Sequence, residues 1–447
     1  MKRQTSLAEK WMWLGVAALA IAGVFAVILV VARTPQLAAM TLFQDLFSVA
    51  LVIHVDLSVL VWFLAILGMG CTGLMEKFPG PWAVWPKAAW MCVVGATMAM
   101  ALSPLEPHWQ VVKSNYIPVL SGNGIFMFSL GLLAACMVAL VLPVLLTYTS
   151  SARRAMLTLV EIGWLCAALT VALALAAFFL SARSIPPGLT EMLYETLFWV
   201  GGHMLQFTFS LLMMAAWLAL LVATGATLPP WKWVLVAYGI TLLAAVASLG
   251  GFALYAPDSG EFFYYQTRIM IELGGIGVGL MLVMVAYRLW GARRDKAMRA
   301  YVSALVMSLL LFGGGGALGF LISGQNVTIP AHYHGVIVGV TLALMGLAYS
   351  MLPRFGYASV AATRLAFWQP ILYGIGQLMH IGGLAYSGGY GVLRKTPGAA
   401  ANSLTPDVKI AMGMMGIGGL LAVIGGILFV VVMLRARRNR DASEHIT

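Results

Sequence analysis

Two histidines, His332 and His334, stand one residue apart in the stretch "TIPAHYHGVIVGVTLALMGLAYSMLPRFG", which is otherwise almost wholly apolar. An imidazole buried in hydrocarbon is costly unless it has a partner. Residues two apart on a helix differ by about 200° in direction, so these two rings address opposite sides of one helix. A single helix wall carrying them could therefore ligate two metal centres, one on each side. Haem suits such a place: its body is apolar, it fits an apolar slot, and its iron takes an axial histidine.

A bis-histidine centre needs a second imidazole from another helix. His54 in "LVIHVDLSVLVW" and His203 in "FWVGGHMLQF" lie at similar depth from the same end of their own apolar segments. Of the remaining histidines, His108 ("SPLEPHWQ") and His445 belong to polar surroundings and read as solvated. His380 ("GQLMHIGG") lies in mid-segment and reads as a satisfied structural histidine.

The elements that must position these rings are apolar helices. The chain has 447 residues, 62% apolar and 9% charged, with a mean hydropathy of +0.94. Soluble domains are about a quarter charged, so the composition implies an integral membrane protein. Twelve stretches are long enough to cross about 30 Å of hydrocarbon: 11–33, 44–75, 86–103, 118–148, 156–182, 190–224, 232–256, 267–290, 300–323, 331–352, 366–388 and 408–434. With no internal repeat and no soluble segment, residues 1–447 read as a single all-α domain, a bundle of twelve transmembrane helices.

The net charge of +11 is a matter of topology rather than of a nucleic-acid partner. With the N-terminus in the cytoplasm, 19 of the 26 Lys and Arg residues fall on the inner side, as the positive-inside rule requires. Both termini are then cytoplasmic, in a membrane of the bacterial inner type, and no cleavable signal is evident in "MKRQTSLAEK". The four cysteines, each alone in an apolar segment, lack ligand spacing and read as packed thiols.

Twelve spans, cytoplasmic ends and histidines on the second, sixth and tenth spans resemble subunit I of the haem-copper oxidase superfamily. The "SMLPRFG" tail is similar to the branch with b-type haems and to the nitric oxide reductases. The resemblance implies His332 as ligand of a high-spin, gas-reactive haem, and His54 with His334 as the pair holding a low-spin haem. It also implies Arg394 and Lys395 in "GYGVLRKTPG" as partners of haem propionates. Electrons would come from a cytochrome c or quinol donor, and an accessory respiratory subunit is expected beside the surrounding lipid.

The sequence departs from that pattern at the non-haem metal. The family uses a histidine of the sixth span, matched by His203, and an adjacent pair at the end of the seventh. Here that end reads "GGFALYAPDSGEFFYYQTR", with Asp258 and Ser259 where the pair belongs. One imidazole does not hold copper tightly, so copper is doubtful; His203 with Asp258 or Glu261 would favour a harder ion. Phe207 stands where related enzymes carry a tyrosine or a glutamate, and Gly313 to Gly316 where an acidic residue is common.

Asp56, Glu161, Glu195 and Glu272 are the carboxylates in the spans that could relay protons or support ligands. The functional expectation is a dihaem respiratory subunit that passes electrons to a haem binding O2 or NO, with a degenerate copper centre. The alternative is a non-catalytic haem-binding paralogue for electron transfer, gas sensing or complex assembly. A transporter is disfavoured, because few polar groups or helix breaks lie near the midplane.

Overall fold

The computed structural model describes residues 5–32, 41–82, 84–106, 109–112, 114, 116–185, 192–292, 295–323, 326–389 and 405–444. Eleven helices among the described residues are long and apolar enough to cross a membrane. They are α1 (Leu7–Leu29), α2 (Phe47–Lys77), α3 (Val84–Leu105), α4 (Gly124–Thr147), α5 (Leu159–Ser184), α6 (Leu193–Ala223), α7 (Trp231–Leu254), α8 (Gly260–Trp290), α9 (Lys296–Gly319), α10 (Thr328–Phe355) and α12 (Pro406–Asn439). The remaining expected span is also a helix, α11 (Arg364–Gly389), of 26 residues. Its length of about 39 Å suffices to cross. Gln369, Gln377, His380 and several glycines dilute its hydropathy below that of the others. The protein is thus an all-α, multi-pass membrane protein, with the helical count of a twelve-span bundle met only when α11 is included.

The helix starts follow from local chemistry. Asn123 caps α4 by accepting from the backbone N–H of Phe126 at 2.7 Å. Thr158 and Glu161 form a reciprocal capping box at the start of α5, which satisfies amide groups the first turn leaves orphaned. Ser259 does the same for α8. The end of α10 is set by Gly356, whose φ of 79° places it in the left-handed region that favours glycine.

Among the described residues two helices contain π-turns, at Asp56–Val61 in α2 and at Met270–Gly274 in α8. Such turns cluster at functional sites. Between α3 and α4 lies a short hairpin in which Gln110–Val112 pairs antiparallel with Val119–Ser121. Its turn brings Tyr116 against α6.

The chain divides into two compact units. The first contains Met1–Gly15, Val55–Leu218 and Thr227–Arg288, and so holds most of α2 to α8. Within it, Phe63 of α2 and Phe209 of α6 meet edge to face at 4.6 Å. The second contains Val16–His54, Ala219–Ala226 and Leu289–Thr447, and so holds α9 to α12. There α9 packs on α10 and α11 on α12, both along glycine seams. Cys71 and Cys136 are buried as expected of packed thiols, but Cys92 is exposed on α3.

Candidate haem-ligand site

In the second unit, α9 and α10 meet along a seam that bears on a candidate ligand. A Cβ on Gly315 would stand 2.5 Å from the backbone N of Val336 and 2.7 Å from Gly335. Only glycine allows the two backbones to meet this closely. At this distance the Gly315 carbonyl lies 2.8 Å from Nδ1 of His332. Four residues on, a Cβ at Gly319 would stand 2.8 Å from that same Nδ1, so Gly315 and Gly319 of α9 together form a cradle for the ring. Within the Gly313–Gly316 run it is Gly315 that packs against α10, while Gly314 and Gly316 meet nothing within 4 Å.

A carbonyl oxygen only accepts, so Nδ1 of His332 carries the proton and Nε2 the lone pair. This is the tautomer in which metal-ligating histidines are held by a second-shell partner. His54 is held the same way, its Nδ1 2.9 Å from the Ala22 carbonyl of α1. The ring of His334 leaves the other side of α10, where it meets His380 of α11 at a centroid distance of 5.0 Å. His332 thus engages α9 and His334 engages α11, in keeping with the 200° offset of residues two apart. His54 and His332, with tautomers fixed by backbone carbonyls, and His334, half-buried like them, are imidazoles of the kind haem iron takes, and the residues present fit that group.

The first unit holds His203, which is only 4% exposed. Its Nδ1 donates to the Trp199 carbonyl one turn earlier, at 2.8 Å. Nε2 is therefore the acceptor, and it receives the Tyr116 hydroxyl at 2.7 Å. Tyr116 reaches it because Gly202 leaves a notch: a Cβ there would stand 2.5 Å from the Tyr116 ring. Both Tyr116 and Trp199 also pack on the imidazole, at 4.5 and 5.1 Å between centroids.

The other residues expected beside a non-haem metal are elsewhere on the first unit's surface. Asp258 and Glu261 are both exposed. Glu261 lines an open cavity of about 450 Å3 with Tyr255, Tyr264, Tyr265 and Arg268. Among the described residues no three of His, Cys, Asp and Glu come together as a metal-holding group. The residues present do not fit a copper ion at His203, whose one lone pair is already bound to a phenol.

The intramembrane carboxylates divide by role. Glu161 joins the α5 capping box and pairs with Lys77 at 3.0 Å. Glu272, in the π-turn of α8, pairs with Arg268 one turn earlier and is 49% exposed. Asp56 is 1% exposed, and its Oδ2 has no hydrogen-bond partner among the described residues. Phe207 lies in an apolar cluster with Ala244 and Ala245. Arg394, Lys395, His108 and His445 lie outside the described residues.

Sequence reasoning missed Tyr116 and the contact between His334 and His380. The Gly201–Gly202 pair before His203 was the available signal for the first, since paired glycines in a helix mark a close approach. The second had no sequence signal, because nothing in a spacing of 46 residues predicts a ring contact.

Comparison with known proteins agrees with this architecture. A relative in Rickettsia prowazekii, an uncharacterized protein, is 31% identical over 96% of this chain and 95% of its own. An uncharacterized protein of Aquifex aeolicus is 29% identical over 78% of this chain and 85% of its own. A solved heme-copper terminal oxidase dimer shares the fold, with a TM-score of 0.72 at 16% identity, covering 98% of this chain and 83% of that one. The family model for cytochrome c and quinol oxidase polypeptide I matches residues 6–439, and the chain belongs to that family, the subunit I family of the haem-copper oxidases.

Proposed function

We propose that this protein is a dihaem subunit of a respiratory chain, working as one twelve-helix domain in a bacterial-type inner membrane with both termini in the cytoplasm. The observation that carries the reading is the imidazole pair on α10, with His332 fixed by the Gly315 carbonyl and His334 directed to α11. In this reading His54 and His334 would hold a low-spin haem, and His332 would hold a second, high-spin haem that would bind O2 or NO. Bound there, haem iron supplies one-electron redox chemistry and an open coordination position for a diatomic gas. Arg394 and Lys395 neutralise propionates, as charge-assisted hydrogen bonds do for carboxylates. The haems are of b type, electrons come from a cytochrome c or quinol donor, and an accessory respiratory subunit sits beside the chain.

The chain's own residues do the positioning. The Gly315 and Ala22 carbonyls hold the Nδ1 protons of His332 and His54, which aims each Nε2 and raises its basicity toward a metal. Apolar spans exclude water from around the rings.

The non-haem position at His203 is degenerate in this reading. The Tyr116 hydroxyl on Nε2 favours a second interpretation of the whole protein, in which haem serves electron transfer, gas sensing or assembly without dinuclear reduction. Metal content separates the two. Purified protein is assayed for haem by pyridine haemochrome and for iron and copper by elemental analysis. Two haems per chain support the dihaem reading, and one or none overturns it. A non-haem metal equal to half the haem supports reduction; haem iron alone supports the paralogue.

A further inference from the structure

We propose that His380 is a positioning residue for His334, fixing the plane of that ring and thereby the electronic state of the low-spin centre; this rests on the reading of His334 as an axial ligand. His380 was expected to be a satisfied structural histidine, and one nitrogen does satisfy that description. Its Nδ1 donates to the Met415 carbonyl of α12 at 2.9 Å, which covers the cost of an imidazole in a span. That bond ties α11 to α12 and orients the His380 ring, but it calls for no partner on the ring's other side. It does not account for the ring standing edge to face on His334, at 5.0 Å and an interplanar angle of 79°.

His380 has little room to yield. A Cβ on Gly418 of α12 would stand 2.6 Å from the His380 backbone N and 2.5 Å from the Gly376 carbonyl. The backbone of α12 therefore backs directly onto α11 at this point. The Met415 carbonyl fixes the His380 ring, and the fixed ring in turn limits rotation of His334 about its χ2. Edge-to-face ring contacts are directional, unlike aliphatic packing, so the arrangement selects one plane for His334 rather than merely filling space. Partners one step removed from a metal are known to orient ligands and tune the metal in this manner.

The test uses the full chain, purified with the haem it acquires on expression. His380→Ala is expected to keep the wild-type haem content and the bis-histidine optical spectrum. Its low-spin electron paramagnetic resonance signal should shift or broaden in the largest g value, with a shift in the low-spin midpoint potential and unchanged CO binding at the other haem. His380→Phe, which keeps a ring edge against His334, should lie closer to wild type than alanine does. His380→Gln keeps a donor for the Met415 carbonyl but removes the ring, and should behave like alanine. It also serves if the alanine variant does not accumulate. Wild-type g values and potential in either ringless variant overturn the inference while leaving the ligand assignment intact. A low-spin signal that survives His334→Ala overturns the ligand assignment itself, and this inference with it.

Discussion

The Tyr116 hydroxyl and His203 Nε2 are 2.7 Å apart, and Nδ1 of the same ring is committed to the Trp199 carbonyl. Both nitrogens of the imidazole are thus spent within the protein. Copper should accordingly be far below one per two haems by elemental analysis. No copper-carbonyl infrared band should follow low-temperature photolysis of the CO complex. Such a band, or stoichiometric copper, would restore an ordinary dinuclear centre.

Tyr116→Phe removes the donor and leaves a buried imidazole acceptor unpaired. A loss of about 1–3 kcal/mol in stability follows, read as a lower thermal midpoint in detergent. Metal uptake at His203 is not expected to follow, since no second strong ligand is gathered there among the described residues. Tight copper binding by this variant would show that Tyr116 alone bars the metal.

In the dihaem reading, removing His54 or His334 should separate the two haems. His54→Ala and His334→Ala should each abolish the low-spin bis-histidine spectrum while CO still binds the other haem. His332→Ala should do the converse. A bis-histidine spectrum in both of the first two variants would rule out the pairing.

Gly319→Leu places a side chain where a Cβ already stands 2.8 Å from His332 Nδ1. CO binding should fall several-fold or disappear, with the low-spin spectrum retained. Should CO binding remain at the wild-type level, the α9 cradle would not be what aims His332.

Glu161→Gln weakens the Thr158 capping box and the ion pair with Lys77. A cost of about 1 kcal/mol is expected, with both haem spectra unchanged. Altered proton uptake on reduction, measured with a pH-indicator dye, would instead return Glu161 to a proton-relay role.

How far the sequence reached depended on the range of the interaction. Length and polarity alone locate the spans, because a helix in lipid must satisfy its own backbone. The HxH spacing gave the two-sided geometry of α10 because it rests on helical periodicity within one turn. Hydropathy understated α11, whose glycines and His380 serve packing against α12 rather than contact with lipid. The partner of His203 lies 87 residues away in a hairpin turn, and no local propensity encodes that meeting. The π-turns at Asp56 and Met270 likewise depend on how a whole helix is held, since the same residues fit an ordinary α-helix.

The meeting of Gly315 and Gly335 carries a consequence for descent. A Cβ on Gly335 would stand 2.5 Å from the Cα of Gly315, and each glycine blocks enlargement of the other. Neither position can drift to alanine first and wait for its neighbour to compensate, because glycine has nothing left to give up. A lineage that keeps the His332 tautomer must therefore keep both glycines, whereas one that has lost the ring's duty is released at both sites together. Reading these two positions beside His332 in relatives would test that linkage.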